Sequence, residues 1–184
     1  MKKLGIGLLL ILTVLGIFIF VKNPKEKTEI KEKPLAKYTL ESLKKKQFIA
    51  GPITLGHVLD EDESIVSQMF YFNFRETING KNQNKKVSGL INIPKLEGTY
   101  PVIVMIRGFV PKEIYSTGIG TQRAGEFFAQ NDFITLSSDF LGYGESDNPS
   151  KNSIEERLQT YSTVLSLLSS LTNLDSGLDA SYSG

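Results

Sequence analysis

A continuous apolar run, "VIVMI" at Val102 to Ile106, and a second segment that repeats the theme, "FITLSSD" at Phe133 to Asp139, restrict this chain more than any other feature. Each suits a strand covered on both faces. Between them "TQRAGEFFAQND", Thr121 to Asp132, places Ala124, Phe127 and Phe128 at helical spacing. Strand, helix and strand joined in this way form a βαβ crossover, which predicts that the two strands lie parallel in one sheet.

Upstream the pattern differs. "PITLGHVLD" sets Ile53, Leu55 and Leu59 on one strand face, and "SIVSQMFYFNF" sets Val66, Phe70, Phe72 and Phe74 opposite Ile65, Met69 and Tyr71. The acids between them, Asp60 to Glu63, lack the spacing and glycine of a calcium loop and are expected to form a solvated hairpin turn. A third strand, "KVSGLINIP", alternates through Val87, Ile91 and Ile93 until Pro94 ends it. These three are predicted to be antiparallel. A short helix capped by Thr39, with Leu40, Leu43 and Phe48 inward, precedes them. A longer helix follows the second apolar run, opened by a capping box from Ser153 to Glu156, with Ile154, Leu158, Tyr161, Leu165 and Leu168 facing the sheet.

The N-terminus sets eighteen uncharged, mostly apolar residues, Leu4 to Val21, between Lys2/Lys3 and Lys22. As a helix they span about 27 Å, enough for a bilayer core, and no small-residue cleavage site follows. Residues 1–21 are therefore expected to be a single-pass anchor or signal-anchor, 22–37 a charged linker, and 38–184 the globular body. Counting positive residues alone would leave the C-terminal side in the cytoplasm, whereas the short tail before the apolar run has a secretory layout and favours an extracytoplasmic body. The only Lys-rich segment is the linker region: residues 22–47 carry nine Lys against four acids, and residues 48–184 carry ten bases against sixteen acids. Nucleic acid is thereby disfavoured as a partner, because phosphate binding needs a concentrated basic face. With no cysteine, thiolate chemistry and disulfides are excluded. No metal-ligand spacing occurs, and "GIGTQRAG" misplaces the third glycine of a dinucleotide loop, so no cofactor is expected.

In an open α/β sheet, ligands bind beyond the carboxyl ends of the parallel strands. That rule selects "IRGFVP" after the first apolar run and "DFLGYGESD" after the second. Gly108 permits a sharp turn that would leave the backbone N–H of Phe109 and its neighbour free to face a developing negative charge. Asp139, an acid ending a strand, is expected to hydrogen-bond local backbone and fix the turn that Gly142 and Gly144 permit.

Taken together, "VSGLINIP", "YPVIVMIRGF", a loop with Pro111 and Tyr115, a helix, and "FITLSSDFLGYGESD" resemble the N-terminal half of α/β-hydrolase catalytic domains, especially the prolyl-oligopeptidase and acylaminoacyl-peptidase-like group. The resemblance covers roughly residues 39–171. It implies that Arg107-Gly108-Phe109 occupies the place of a loop that usually begins His-Gly and builds part of the oxyanion hole, with Arg107 replacing the histidine. It also matches Asp139, Gly142, Gly144 and Ser146 to an Asp-x-x-Gly-x-Gly-x-Ser signature of a structural loop. The implied activity is serine peptidase or esterase chemistry on a small-molecule or peptide substrate.

The catalytic serine of such enzymes sits in G-x-S-x-G on a later strand-to-helix turn, and its acid and histidine come later still. None of the 184 residues forms that motif, and the single histidine, His57, lies on the first strand, upstream of where the general base belongs. Ser146 and Ser183 lie in no such elbow. The expectation is a hydrolase front half, truncated before its nucleophile, with no catalytic residue of its own and with the Val102–Ile106 strand left as a sheet edge. The alternative is a non-catalytic, membrane-tethered interaction module built on half of the fold.

Overall fold

A computed structural model describes residues 33, 35–78 and 81–174. The apolar segment 1–21, most of the linker and Ser183 lie outside the described residues. Among those described, no helix is long and apolar enough to cross a membrane.

Among the described residues five strands form one mixed sheet: β1 (Thr54–Glu61), β2 (Ile65–Ile78), β3 (Lys81–Pro94), β4 (Val102–Met105) and β5 (Ile134–Ser138), in the spatial order β1-β2-β3-β5-β4. The first three are an antiparallel meander, β5 lies antiparallel to β3, and β4 lies parallel to β5. Among the described residues three α-helices accompany them: α1 (Leu40–Lys45), α2 (Gln122–Ala129) in the crossover from β4 to β5, and α3 (Ser153–Ser170). Among the described residues β4 pairs only with β5, so it is an edge.

The register gives the two sheet faces opposite chemistries. Phe70 stands opposite Gly89, Phe72 opposite Val87, and Ile91 opposite Leu136, which gathers large apolar side chains on one face beneath Leu167 of α3. Phe70, Phe72 and Phe74 are fully buried there, each contributing on the order of 2–3 kcal/mol by leaving water. The alternate positions carry a polar ladder. Ser67 Oγ donates to Asn92 Oδ1 at 2.6 Å, Asn92 Nδ2 donates to Thr135 Oγ1 at 2.8 Å, and Thr135 Oγ1 donates to the Gly125 carbonyl of α2 at 3.3 Å. Every member of this ladder is buried and bonded, which avoids the cost of an unmet polar group.

The helices use faces that the apolar spacing did not indicate. In α2 the buried residues are Gly125 and Ala129, while Phe127 is exposed. A Cβ at Gly125 would lie 2.7 Å from Asn92 Nδ2, so the helix can approach the polar ladder only through a glycine. In α3 the cap is Asn152, not Ser153: its Oδ1 accepts from the N–H groups of Ile154 and Glu155 at 3.0 and 3.1 Å. The buried face of α3 is Gln159, Ser162, Thr163, Ser166, Leu167 and Ser170, whereas Ile154, Tyr161 and Leu168 face outward. Small hydroxyl residues let the helix settle against the bulky phenylalanines. Thr163, Ser166 and Ser170 each donate to the carbonyl four residues earlier, which satisfies their hydroxyls, whereas the buried Ser162 Oγ meets no partner among the described residues.

Two smaller departures have local causes. Leu59 is exposed, as are all residues from His57 to Glu61: β1 is a sheet edge and shifts register against β2 on either side of Val58, so its outer half has no packing partner on either face among the described residues. Leu40 also faces outward, although Thr39 caps α1 by accepting from Ser42 N–H at 3.2 Å. The β1–β2 turn is held by Asp62, whose Oδ1 accepts from the N–H groups of Ser64 and Ile65 at 2.6 and 2.8 Å. Those backbone bonds hold its carboxyl below the usual carboxylate range.

The body is clamped to the segment preceding α1. Glu76, buried on β2, accepts from Tyr38 Oη, from Lys37 Nζ at 3.0 Å, and from Gln159 Nε2 of α3. Lys37 also reaches Glu155 at 2.7 Å. Burial opposes the charge on Lys37, but the bonds and charges of Glu155 and Glu76 outweigh it and hold its pKa above the ordinary lysine value.

Candidate functional site

Because β4 and β5 are parallel neighbours with Met105 paired to Ser137, the chain leaves both at the same edge of the sheet. The two departing loops meet there, and they meet around Asp139. Its carboxylate is fully buried and accepts from Ser88 Oγ (2.6 Å), Tyr115 Oη (2.6 Å) and Thr117 Oγ1 (2.9 Å), while its N–H donates to the Ser88 carbonyl at 2.9 Å. Burial, and then the Asp139 charge and hydrogen bond, push the Tyr115 hydroxyl well above the usual tyrosine range, with Arg107 partly opposing them.

The rest of "DFLGYGESD" wraps this carboxylate. Gly142 and Gly144 have φ of 78° and 54°, and a Cβ at Gly144 would collide with Asp139 Oδ2. Phe140 adopts φ of 66°, a left-handed conformation rare for a bulky residue. Ser146 Oγ accepts from Ser88 N–H at 2.9 Å and lies 3.1 Å from Ser88 Oγ, so this serine belongs to the wrapping. Asp147 N–H closes the loop on the Lys86 carbonyl at 2.9 Å.

The β4 loop is anchored on either side of its two central residues. Before them, the Arg107 guanidinium lies 4.2, 4.5 and 5.3 Å from the ring centres of Tyr143, Tyr115 and Phe140. It donates to the Asp139 carbonyl and to the Gly108 carbonyl, each at 3.0 Å. After them, Tyr143 Oη donates to the Val110 carbonyl at 3.0 Å. Gly108 and Phe109 stand between these anchors. No atom comes within 4 Å of the place a Gly108 Cβ would occupy, and the Phe109 side chain is 86% exposed. Among the described residues the Phe109 N–H donates to no backbone group.

Beside this loop opens a pocket of about 820 Å³. Ile106 to Phe109 and Tyr143 form one wall, and Arg157, Thr160 and Tyr161 of α3 form another. An exposed ion pair, Lys112 Nζ to Glu156 Oε1 at 3.0 Å, joins the two walls. Ser153 also lines the pocket, and no histidine accompanies it. His57 lies on β1, the edge strand opposite β4. The fold therefore brings Gly108 and Phe109 to the pocket and draws Asp139, Gly142, Gly144 and Ser146 into the packing beside it. Among the described residues the site holds a backbone donor and a cavity, and its one serine, Ser153, has no histidine beside it.

Sequence reasoning missed two contributors. The aromatic cage of Tyr115, Phe140 and Tyr143 was open to view as aromatics near an unmatched arginine, but only the turn after β5 shows that they converge. The α3 wall was hidden, because helical spacing assigned Tyr161 to the core.

Neither a protein-family model nor a curated protein matches the chain. Among solved structures, acetyl xylan esterase 1 from Thermoanaerobacterium sp. JW/SL YS485 is similar at 14% identity and a TM-score of 0.44, over 66% of this chain and 36% of that one. The rice cell wall degrading esterase LipA from Xanthomonas oryzae, in a ligand-bound form, is similar at 16% identity and a TM-score of 0.41, over 71% of this chain and 40% of that one. The chain thus spans well under half the length of these esterases.

Proposed function

We propose that this chain is the oxyanion-hole half of an α/β-hydrolase related to serine esterases and peptidases, tethered to a membrane through residues 1–21 with its body outside the cytoplasm. The observation that carries the reading is the β4 loop. Gly108-Phe109 follows a parallel strand, lines a pocket, and carries a backbone N–H that is spoken for by no other described group. A donor so placed can stabilise the oxygen that becomes negative when a nucleophile adds to an ester or amide carbonyl. The substrate is then a small-molecule ester or a peptide. The nucleophile and its base are not among these 184 residues, since no G-x-S-x-G occurs and His57 sits at the far edge of the sheet.

The reading separates binding from turnover. Acetate, a small oxyanion, should shift the Phe109 amide resonance of the isotopically labelled full chain in detergent micelles. The same preparation should hydrolyse no p-nitrophenyl ester above background and take no fluorophosphonate label. An unmoved Phe109 amide would remove the proposed donor. Stoichiometric fluorophosphonate labelling would instead show a nucleophile in this chain.

A further inference from the structure

We infer that Arg107 is a positioning residue, whose guanidinium sets the direction in which the Phe109 N–H points. The inference rests on the reading of Phe109 as the oxyanion donor and goes beyond it by naming what aims that donor. The geometry is that of one peptide group. Arg107 Nη1 donates to the Gly108 carbonyl at 3.0 Å, and the described peptide bonds are all trans. In a trans peptide the carbonyl and the following N–H point in opposite directions within one plane. Drawing the Gly108 oxygen toward the guanidinium therefore turns the Phe109 N–H away from it and away from the aromatic cage.

The guanidinium can impose that direction because it is itself fixed. Its place over the Tyr143 and Tyr115 rings, which stand edge-on to each other, and the bond from Nη2 to the Asp139 carbonyl hold it, and the second arm of the planar fork reaches Gly108. Gly108 supplies no side-chain contact that could hold the peptide in place. The same bond also polarises the peptide: a cation on its carbonyl makes its N–H a better donor, since linked hydrogen bonds strengthen one another. A lysine could keep the charge but has no planar fork with which to hold both carbonyls while stacking.

Acetate titration of the full chain, followed at the flanking Gly108 and Val110 amides, tests this with two variants. Phe109→Pro removes the donor. Arg107→Lys keeps a cation while releasing the peptide. Both should weaken acetate binding, Arg107→Lys by about tenfold, the worth of one oriented charge-assisted bond. If Phe109→Pro binds acetate as the parent chain does, the donor assignment itself fails. If Phe109→Pro loses binding while Arg107→Lys retains it, the donor stands and the role of Arg107 is overturned. A purely structural tie would lower the melting temperature of Arg107→Lys without changing its acetate affinity, so both are recorded. Should Arg107→Lys not fold, the parent chain still decides the matter. A through-hydrogen-bond coupling between Arg107 Nη1 and the Gly108 carbonyl carbon is expected, and its absence would overturn the proposal.

Discussion

The loops leaving β4 and β5 start side by side, at Ile106 and Asp139, and both depend on glycine, yet they are built on opposite plans. The β5 loop closes on itself: a buried carboxylate with three side-chain donors, a bulky residue and two glycines in left-handed conformations, and a serine bonded back to β3. The β4 loop is gripped at Arg107 and Val110 and left open between them. Asp139 and Tyr143 of the closed loop supply the grips on the open one. Rigidity in one loop is thus what leaves a backbone donor unused in the other, a division of labour common where a scaffold presents a site.

Gly144→Ala would break this contrast most severely. The new methyl would enter the Asp139 carboxylate from a residue already at φ of 54°, so both the backbone and the bonded carboxylate must shift. A loss of about 3 kcal/mol or more is expected from strain and broken bonds together, read as a lower urea midpoint. An unchanged midpoint would mean that the wrapping around Asp139 is not rigid.

Asp139→Asn should cost less, about 1–3 kcal/mol. The amide keeps one carbonyl oxygen but turns an NH2 toward hydroxyls that now donate to a carboxylate, so at least one of Ser88, Tyr115 and Thr117 must reorient or lose its bond. The comparison also predicts where the damage spreads. Because the Asp139 backbone carbonyl and Tyr143 hold the β4 loop, the Gly108 and Phe109 amide resonances should shift and broaden in this variant.

How far this arrangement was legible beforehand follows from what each residue needs. The sheet could be read, since Val102–Met105 is a short, continuous apolar run, Ile134–Ser138 repeats its theme through Ile134 and Leu136, and Val87, Ile91 and Ile93 alternate along β3. The meander and the parallel pair followed, and with them the edge where Gly108 and Asp139 meet. The helix faces could not be read in the same way. Spacing counts apolar residues, but α2 is seated by Gly125 against an asparagine, and α3 by serines and a glutamine against phenylalanines and a buried glutamate. There close approach and hydrogen bonding outweigh side-chain hydrophobicity, and neither leaves a periodic trace. The outward turn of Tyr161 that builds the second pocket wall was lost for that reason.

Alkaline pH should strain the closed loop gradually. Tyr115 has its pKa raised by burial and by Asp139, so its contribution to stability is complete below the ordinary tyrosine value of about 10 and is lost as pH rises toward the higher folded value. Tyr38 and Lys37 are raised in the same direction by their own surroundings, and they titrate in the distant clamp on Glu76. Urea midpoints measured from pH 8 to 11 should therefore fall above about pH 10 in the parent chain and fall less steeply in Tyr115→Phe. Parallel curves for the two would detach Tyr115 from the effect and leave the clamp and Tyr71, itself raised by burial and by Glu145, as its sources.

Gly108→Ala is the smallest expected change and the sharpest probe of the open loop. A methyl there meets no atom within 4 Å, and the residue is not in the left-handed region where an added Cβ brings strain. Stability should move by no more than about 0.5 kcal/mol, as for an exposed site without special backbone demands. The same glycine-to-alanine exchange, made at Gly144 thirty-six residues later, is expected to cost several times as much. If the two variants shift the urea midpoint equally, the loops do not differ in the way their packing indicates. If Gly108→Ala is silent in stability yet weakens acetate binding at Phe109, the glycine serves access to the pocket, since nothing in its packing requires it.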